Sequence, residues 1–73
     1  MKTNEILTEA LAHFLTAYNL WTEANDQLSL EQQTEPIDGI LNDFLKATES
    51  ITIGIDFDTL REKAIERANE FEG

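Results

Sequence analysis

The sequence predicts an all-α fold, a small three-helix bundle completed by dimerisation, and three observations carry that prediction. Apolar residues recur at helical spacing in three separate segments. The only strand-like alternation, Ile51, Ile53 and Ile55, has no second segment in the chain to pair with. A lone strand leaves its backbone donors and acceptors unmatched unless another chain supplies them, so an intermolecular strand over 50–55 is the alternative to a longer second helix. Finally, the chain has 73 residues and no cysteine. A domain of that size buries only about 60% of the surface its unfolded form exposes. Small domains make up the shortfall with disulfides, a metal or a second subunit, and the first of these is ruled out here.

The first helix is expected over about residues 4–25. Thr3 or Asn4 can cap it, because a short side-chain oxygen accepts from the unpaired amides of the first turn. Glu5 and Glu9 then lie near its positive end. From Ala10 to Thr22 there is no formal charge. At about 100° per residue, Leu20, His13, Ile6, Ala24, Ala17, Ala10, Trp21, Phe14, Leu7, Tyr18, Leu11 and Leu15 fill an arc of roughly 220°. Glu5, Thr8, Glu9, Ala12, Thr16, Asn19, Glu23 and Asp26 occupy the remainder. A surface helix needs an apolar stripe only a little over 100° wide, so this helix is expected to have neighbours on two sides.

Residues 25–36 read as the first connection, with Ser29 and Gln32 at capping-box spacing. A second helix is expected over about 36–53. Pro36 suits its first turn, where the missing N–H is harmless, and Ile37, Ile40, Leu41, Phe44 and Leu45 follow at i, i+3, i+4, i+7 and i+8. Carrying the helix through Ile51 keeps that residue on the face of Ile37 and Phe44, with Gly54 as a left-handed C-cap. The third helix is expected over about 57–72. Asp56 or Asp58 serves as its cap, Thr59 with Glu62 repeats the capping-box spacing, and Phe57, Leu60, Ala64, Ala68 and Phe71 form a narrow stripe. The two alanines allow a neighbouring helix to approach closely. The reading is of one helical domain over 1–73.

Fifteen acidic residues against five basic ones give a formal charge of −10. Such a surface repels nucleic acid and anionic membranes and favours basic protein surfaces. Glu5 and Glu9 interrupt the segment where a secretory peptide needs an apolar run. No run approaches the roughly 20 apolar residues of a membrane span. A cytoplasmic location is the expectation, with neither membrane nor direct nucleic-acid binding.

No motif identifies a reaction, and the expectation is a non-enzyme without cofactor or metal. His13 is the only histidine and projects within the apolar arc, which reads as a partly buried structural side chain. There is no G-x-S-x-G turn, phosphate-cradling glycine loop or H-E-x-x-H pair. Asp56, Asp58 and Glu62 fall short of a calcium loop, which needs twelve residues with further ligands and a central glycine. An acyl-carrier reading fails at Ser29, because "DQLSLEQ" lacks the Asp-Ser-Leu setting.

Two surfaces remain. Leu11, Phe14, Leu15, Tyr18 and Trp21 are expected to form an oligomer interface, since tyrosine and tryptophan are enriched at such surfaces and a symmetric copy can cover the second flank of the helix. Asp58, Glu62, Glu66 and Glu70 recur one per turn on the third helix, rising about 6 Å per step, comparable with phosphates along one nucleic-acid strand. Asp38 and Asp43 extend the acid onto the second helix. In charge and size the chain is similar to small DNA-mimic proteins of phage and mobile elements, such as anti-restriction and anti-CRISPR inhibitors. The similarity is one of surface type. It implies a module that inhibits or modulates a nucleic-acid-binding protein by offering carboxylates in place of phosphates. The alternative is a homo-oligomeric structural or adaptor protein acting through the apolar face of the first helix.

Overall fold

The computed structural model describes residues 2–72. Its three helices are α1 (Thr3–Asp26), α2 (Asp38–Ile51) and α3 (Phe57–Glu72), and no strand occurs among the described residues. Cross-helix pairs fix their directions. Phe14 stacks on Phe44, with ring centroids 4.3 Å apart, and Tyr18 donates to Asp38, so α2 runs antiparallel to α1. Glu9 meets Arg67 and His13 stacks on Phe71 at 4.5 Å, so α3 runs parallel to α1.

The core is small and lies mainly between α1 and α3. Leu11, Ala12, Leu60 and Ala64 are fully buried and Ala68 nearly so, with Leu7, Leu15, Phe44, Leu45, Phe57 and Phe71 packed around them. Three alanines at the crossing let the two helices approach closely, and Leu11 and Leu60 fill the space beside them. The α2 helix packs on an adjacent side of α1, and its Phe44 and Leu45 reach the same cluster. The principal extents are 47 × 27 × 15 Å. Leu45 of α2 and Phe57 of α3 line one groove and pack on the same cluster, so α1 meets α2 and α3 on adjacent sides and keeps its third side clear of both.

Two asparagines on α1 hold the connections. Near its C-terminus, Asn25 is buried and pairs with the backbone of Thr34 in both directions, Nδ2 donating to the carbonyl and Oδ1 accepting from the amide, each at 3.0 Å. Near its N-terminus, Asn4 does the same for Ile53, donating at 2.6 Å and accepting at 3.4 Å. Both loops therefore find part of their backbone pairing in a side chain. Asn25→Ala should lower the unfolding free energy by about 1–3 kcal/mol, because two bonds go and Thr34 loses its match. The check is a shift in the denaturation midpoint at an unchanged slope.

The Asn4 clamp explains the largest local departure from the sequence reading. The α2 helix stops at Ile51 rather than 53; Thr52 is extended, with φ −74° and ψ 129°. Ile53 then pairs its N–H and C=O with Asn4 instead of a helical turn. The strand-like spelling is thus realised as a short extended piece matched by a side chain, within one molecule. Gly54 has the expected left-handed φ, 85°, but it does not cap α2, whose C-cap is the extended Thr52.

The helix starts also differ. Lys2 occupies the N-cap of α1 with no side-chain cap bond, Thr3 is already helical, and Asn4 is engaged with Ile53. Pro36 precedes α2, whose N-cap is Ile37. Thr59 lies inside α3, so its spacing with Glu62 does not form a capping box. The Ser29 carbonyl accepts from the amides of Gln32 and Gln33 at 2.9 and 3.0 Å, closing a single turn in the first connection.

Candidate protein-binding surfaces

The expected two-sided packing of α1 is present, but its angular position is shifted. The α3 helix covers the side assigned to polar residues: Ala12 is fully buried, and Thr8, Glu9 and Thr16 are half-buried. Arg67 explains how a glutamate is tolerated there. Its Nε lies 2.8 Å from Glu9 and its Nη1 2.8 Å from Glu70, with the guanidinium 4.6 Å from the centre of the Phe71 ring. The hydrogen bond from Arg67 holds the Glu9 carboxyl below the ordinary carboxylate range, while burial opposes that shift. The stabilisation is therefore present above the ordinary carboxylate pKa and disappears as pH falls through the lowered value. The same contacts raise the Arg67 guanidinium, through Glu9 first and Glu70 second. The hydrogen bond to Asp38 raises the Tyr18 hydroxyl.

The residues expected at an oligomer interface are largely committed within the chain. Leu11 is fully enclosed and presents nothing to a second molecule. Leu15 packs against the core, Phe14 is half-buried against Phe44, Tyr18 is engaged with Asp38, and Trp21 is half-buried beside Asn25, Leu28 and Thr34. The adjacent part of the apolar arc remains open. Ile6, Ala10, His13, Ala17, Leu20 and Ala24 are all exposed. His13 is therefore a surface residue with one ring face on Phe71, not the partly buried side chain expected from the sequence. Helical periodicity gives the width of an apolar arc but not which part of it the neighbours take, so this open stripe has no separate signature in the sequence.

The carboxylates divide into two groups. Asp58, Glu62, Glu66 and Glu70 are exposed along α3, on the side away from Leu60, Ala64 and Ala68. The ends of this row have basic neighbours: Arg61 lies 3.5 Å from Asp58, and Arg67 reaches Glu70. No ion pair reaches Glu62 or Glu66 among the described residues; the Lys63–Glu66 relief that the spacing allows is absent. Asp38 and Asp43 do not join the row. Asp38 is tied to Tyr18, and Asp43 lies on the side of α2 away from Leu45, which faces α3 across a groove.

Two clefts flank α3. The first has a volume of about 480 Å³ between α1 and α3, where Lys63 and Arg67 alternate with Glu5, Glu9, Glu66 and Glu70. Another, of about 270 Å³, lies between α2 and α3 beside Leu45, Phe57 and Arg61. Among the described residues, no three histidine or carboxylate side chains converge to hold a metal ion. No helix there is long and apolar enough to cross a membrane. No protein-family model, curated protein or solved structure gives a significant match to this chain.

Proposed function

We propose that the protein is a non-catalytic acidic binding module that occupies a basic, phosphate-binding surface on another protein and so inhibits or modulates a nucleic-acid-binding partner. The outward face of α3 supports this reading. It presents a carboxylate on every turn from Asp58 to Glu70, and the two central ones have no ion pair among the described residues. Like charges at i, i+4 cost about 0.2–0.5 kcal/mol per pair, so the row carries a small strain that a basic groove would relieve. The ion pairs at its ends are exposed to solvent and contribute little. A stronger cationic surface can displace them.

The experiment is competition. Nucleic-acid-binding proteins of the native host are loaded on immobilised heparin, and the pure chain is added. Specific release of a bound protein is expected, weakening as salt rises. Glu62→Gln with Glu66→Gln should weaken that release roughly tenfold while leaving the helical signal intact. Equal release by the double variant would exclude the carboxylate face as the determinant.

The adaptor reading has one observation in its favour, the uncovered apolar stripe of α1. It belongs to a different surface and is tested separately.

A further inference from the structure

We infer that the exposed apolar side of α1 and α2 is the docking surface for a second copy of this chain, paired about a two-fold axis with the α1 helices antiparallel. The surface extends over both helices. Ile6 and Leu20 on α1 are 66% and 61% exposed, and Ile40 and Ile51 on α2 are 57% and 54% exposed. The Phe14–Phe44 stack joins them. Phe14 sits on the α2-facing edge of the α1 stripe. Ile40, Ala47 and Ile51 follow Phe44 around α2, on the edge away from Leu45 and α3. At about 100° per residue, both open edges therefore point to the same side of the α1–α2 pair.

Three features select a second copy as the occupant. First, an apolar helix face must be buried against another element, and this side of α1 is left open by both α2 and α3. Second, the α1 stripe is complementary to itself. Its residues recur at alternating intervals of four and three, the seam of a coiled coil, with large side chains at one heptad position and alanine at the other. An antiparallel match sets Ile6 against Ala24 of the other copy, Ala10 against Leu20, and His13 against Ala17. Every large side chain then meets a small one, and the contact is isologous as a two-fold axis requires. Third, in a chain of net charge −10 this side is free of charge. Its nearest carboxylates stand at the rims: Glu9, already held by Arg67, with Glu23 on one side and Asp43 on the other. Association here turns the α3 rows outward, whereas most other faces would bring carboxylates together.

The size is sufficient for a modest affinity. A stripe from residue 6 to 24 is about 27 Å long, and two helices span about 20 Å. That gives roughly 500 Å² from each copy and about 1,000 Å² in total, near the lower bound for a specific interface. The inference does not depend on the acidic surface, and either can fail without the other.

Sedimentation equilibrium of the full chain tests it. A dimer with a dissociation constant on the order of 10 μM is expected. Ala10→Glu with Ala17→Glu should weaken it at least about tenfold, with an unchanged helical signal because both positions face solvent. Ile6→Gln with Leu20→Gln provides an independent pair whose added groups carry no charge. A wild-type chain that stays monomeric to about a hundred times that concentration overturns the proposal. So does a dimer indifferent to both pairs of substitutions. The orientation has its own test, because the chain contains no cysteine. Mixed Ala10→Cys and Leu20→Cys chains should give mainly the hetero-disulfide; predominance of the Ala10→Cys homo-disulfide would overturn the antiparallel match.

Discussion

Leu60→Ala is expected to remove about 2–5 kcal/mol of stability, through lost burial and the cavity left behind. A chain of this length has only about 4–11 kcal/mol in total. The effect is large because Leu60 is fully enclosed and, among the described residues, shares that state with only one other large side chain, Leu11. Three alanines form the rest of the buried cluster, and they cannot move into the vacated space. Leu11→Ala should have a similar cost, for it lies on the facing helix of the same cluster. The two losses should not add, since neighbouring sites in one core couple. Urea denaturation of both single variants and the double variant decides this. A loss below about 1 kcal/mol for Leu60→Ala would mean that the α1–α3 contact is not the main source of stability.

Ala12→Asp should be comparably severe, by about 3 kcal/mol or more. Ala12 has no exposed surface, and an aspartate is too short to lift its carboxylate to solvent. Arg67 on α3 is already occupied by Glu9 and Glu70. Asn19, on the same polar side of the helical projection, supplies the control. It is exposed, so Asn19→Asp should change stability by no more than about 0.5 kcal/mol. Thermal midpoints of the two variants provide the comparison. Equal midpoints would show that α3 does not close over this side of α1.

Ala12 also marks the limit of what the sequence could convey. The helical spacing of Ile37, Leu41, Phe44 and Leu45 made α2 legible, and Phe57, Leu60, Ala64, Ala68 and Phe71 did the same for α3. Alanine, however, is small enough to suit either a crowded crossing or open solvent, and its identity does not distinguish them. Among Glu5, Glu9 and Glu23 on the helical projection, Ala12 reads as solvent-facing. The salt link from Arg67 to Glu9 spans 58 positions and left no local signal, yet it allows α3 to lie over a partly polar flank. The end of α2 was hidden for a related reason. Nothing in the spelling around Ile53 reveals that Asn4, 49 positions away, would supply its backbone matches.

The candidate surfaces were legible to different degrees. The Asp58–Glu62–Glu66–Glu70 row follows directly from one helix's period, and it stands exposed along α3. Its extension to Asp38 and Asp43 required knowing how α2 is rotated, which depends on Phe14 meeting Phe44. The same packing encloses Leu11 and leaves Ile6 and Leu20 in solvent.

The placement of the two surfaces has a steric consequence. The open side of α1 and α2 and the outward carboxylate row of α3 point in different directions. A molecule settling against Ile40 and Ile51 would leave Glu62 and Glu66 uncovered. Both sides can therefore be occupied at once.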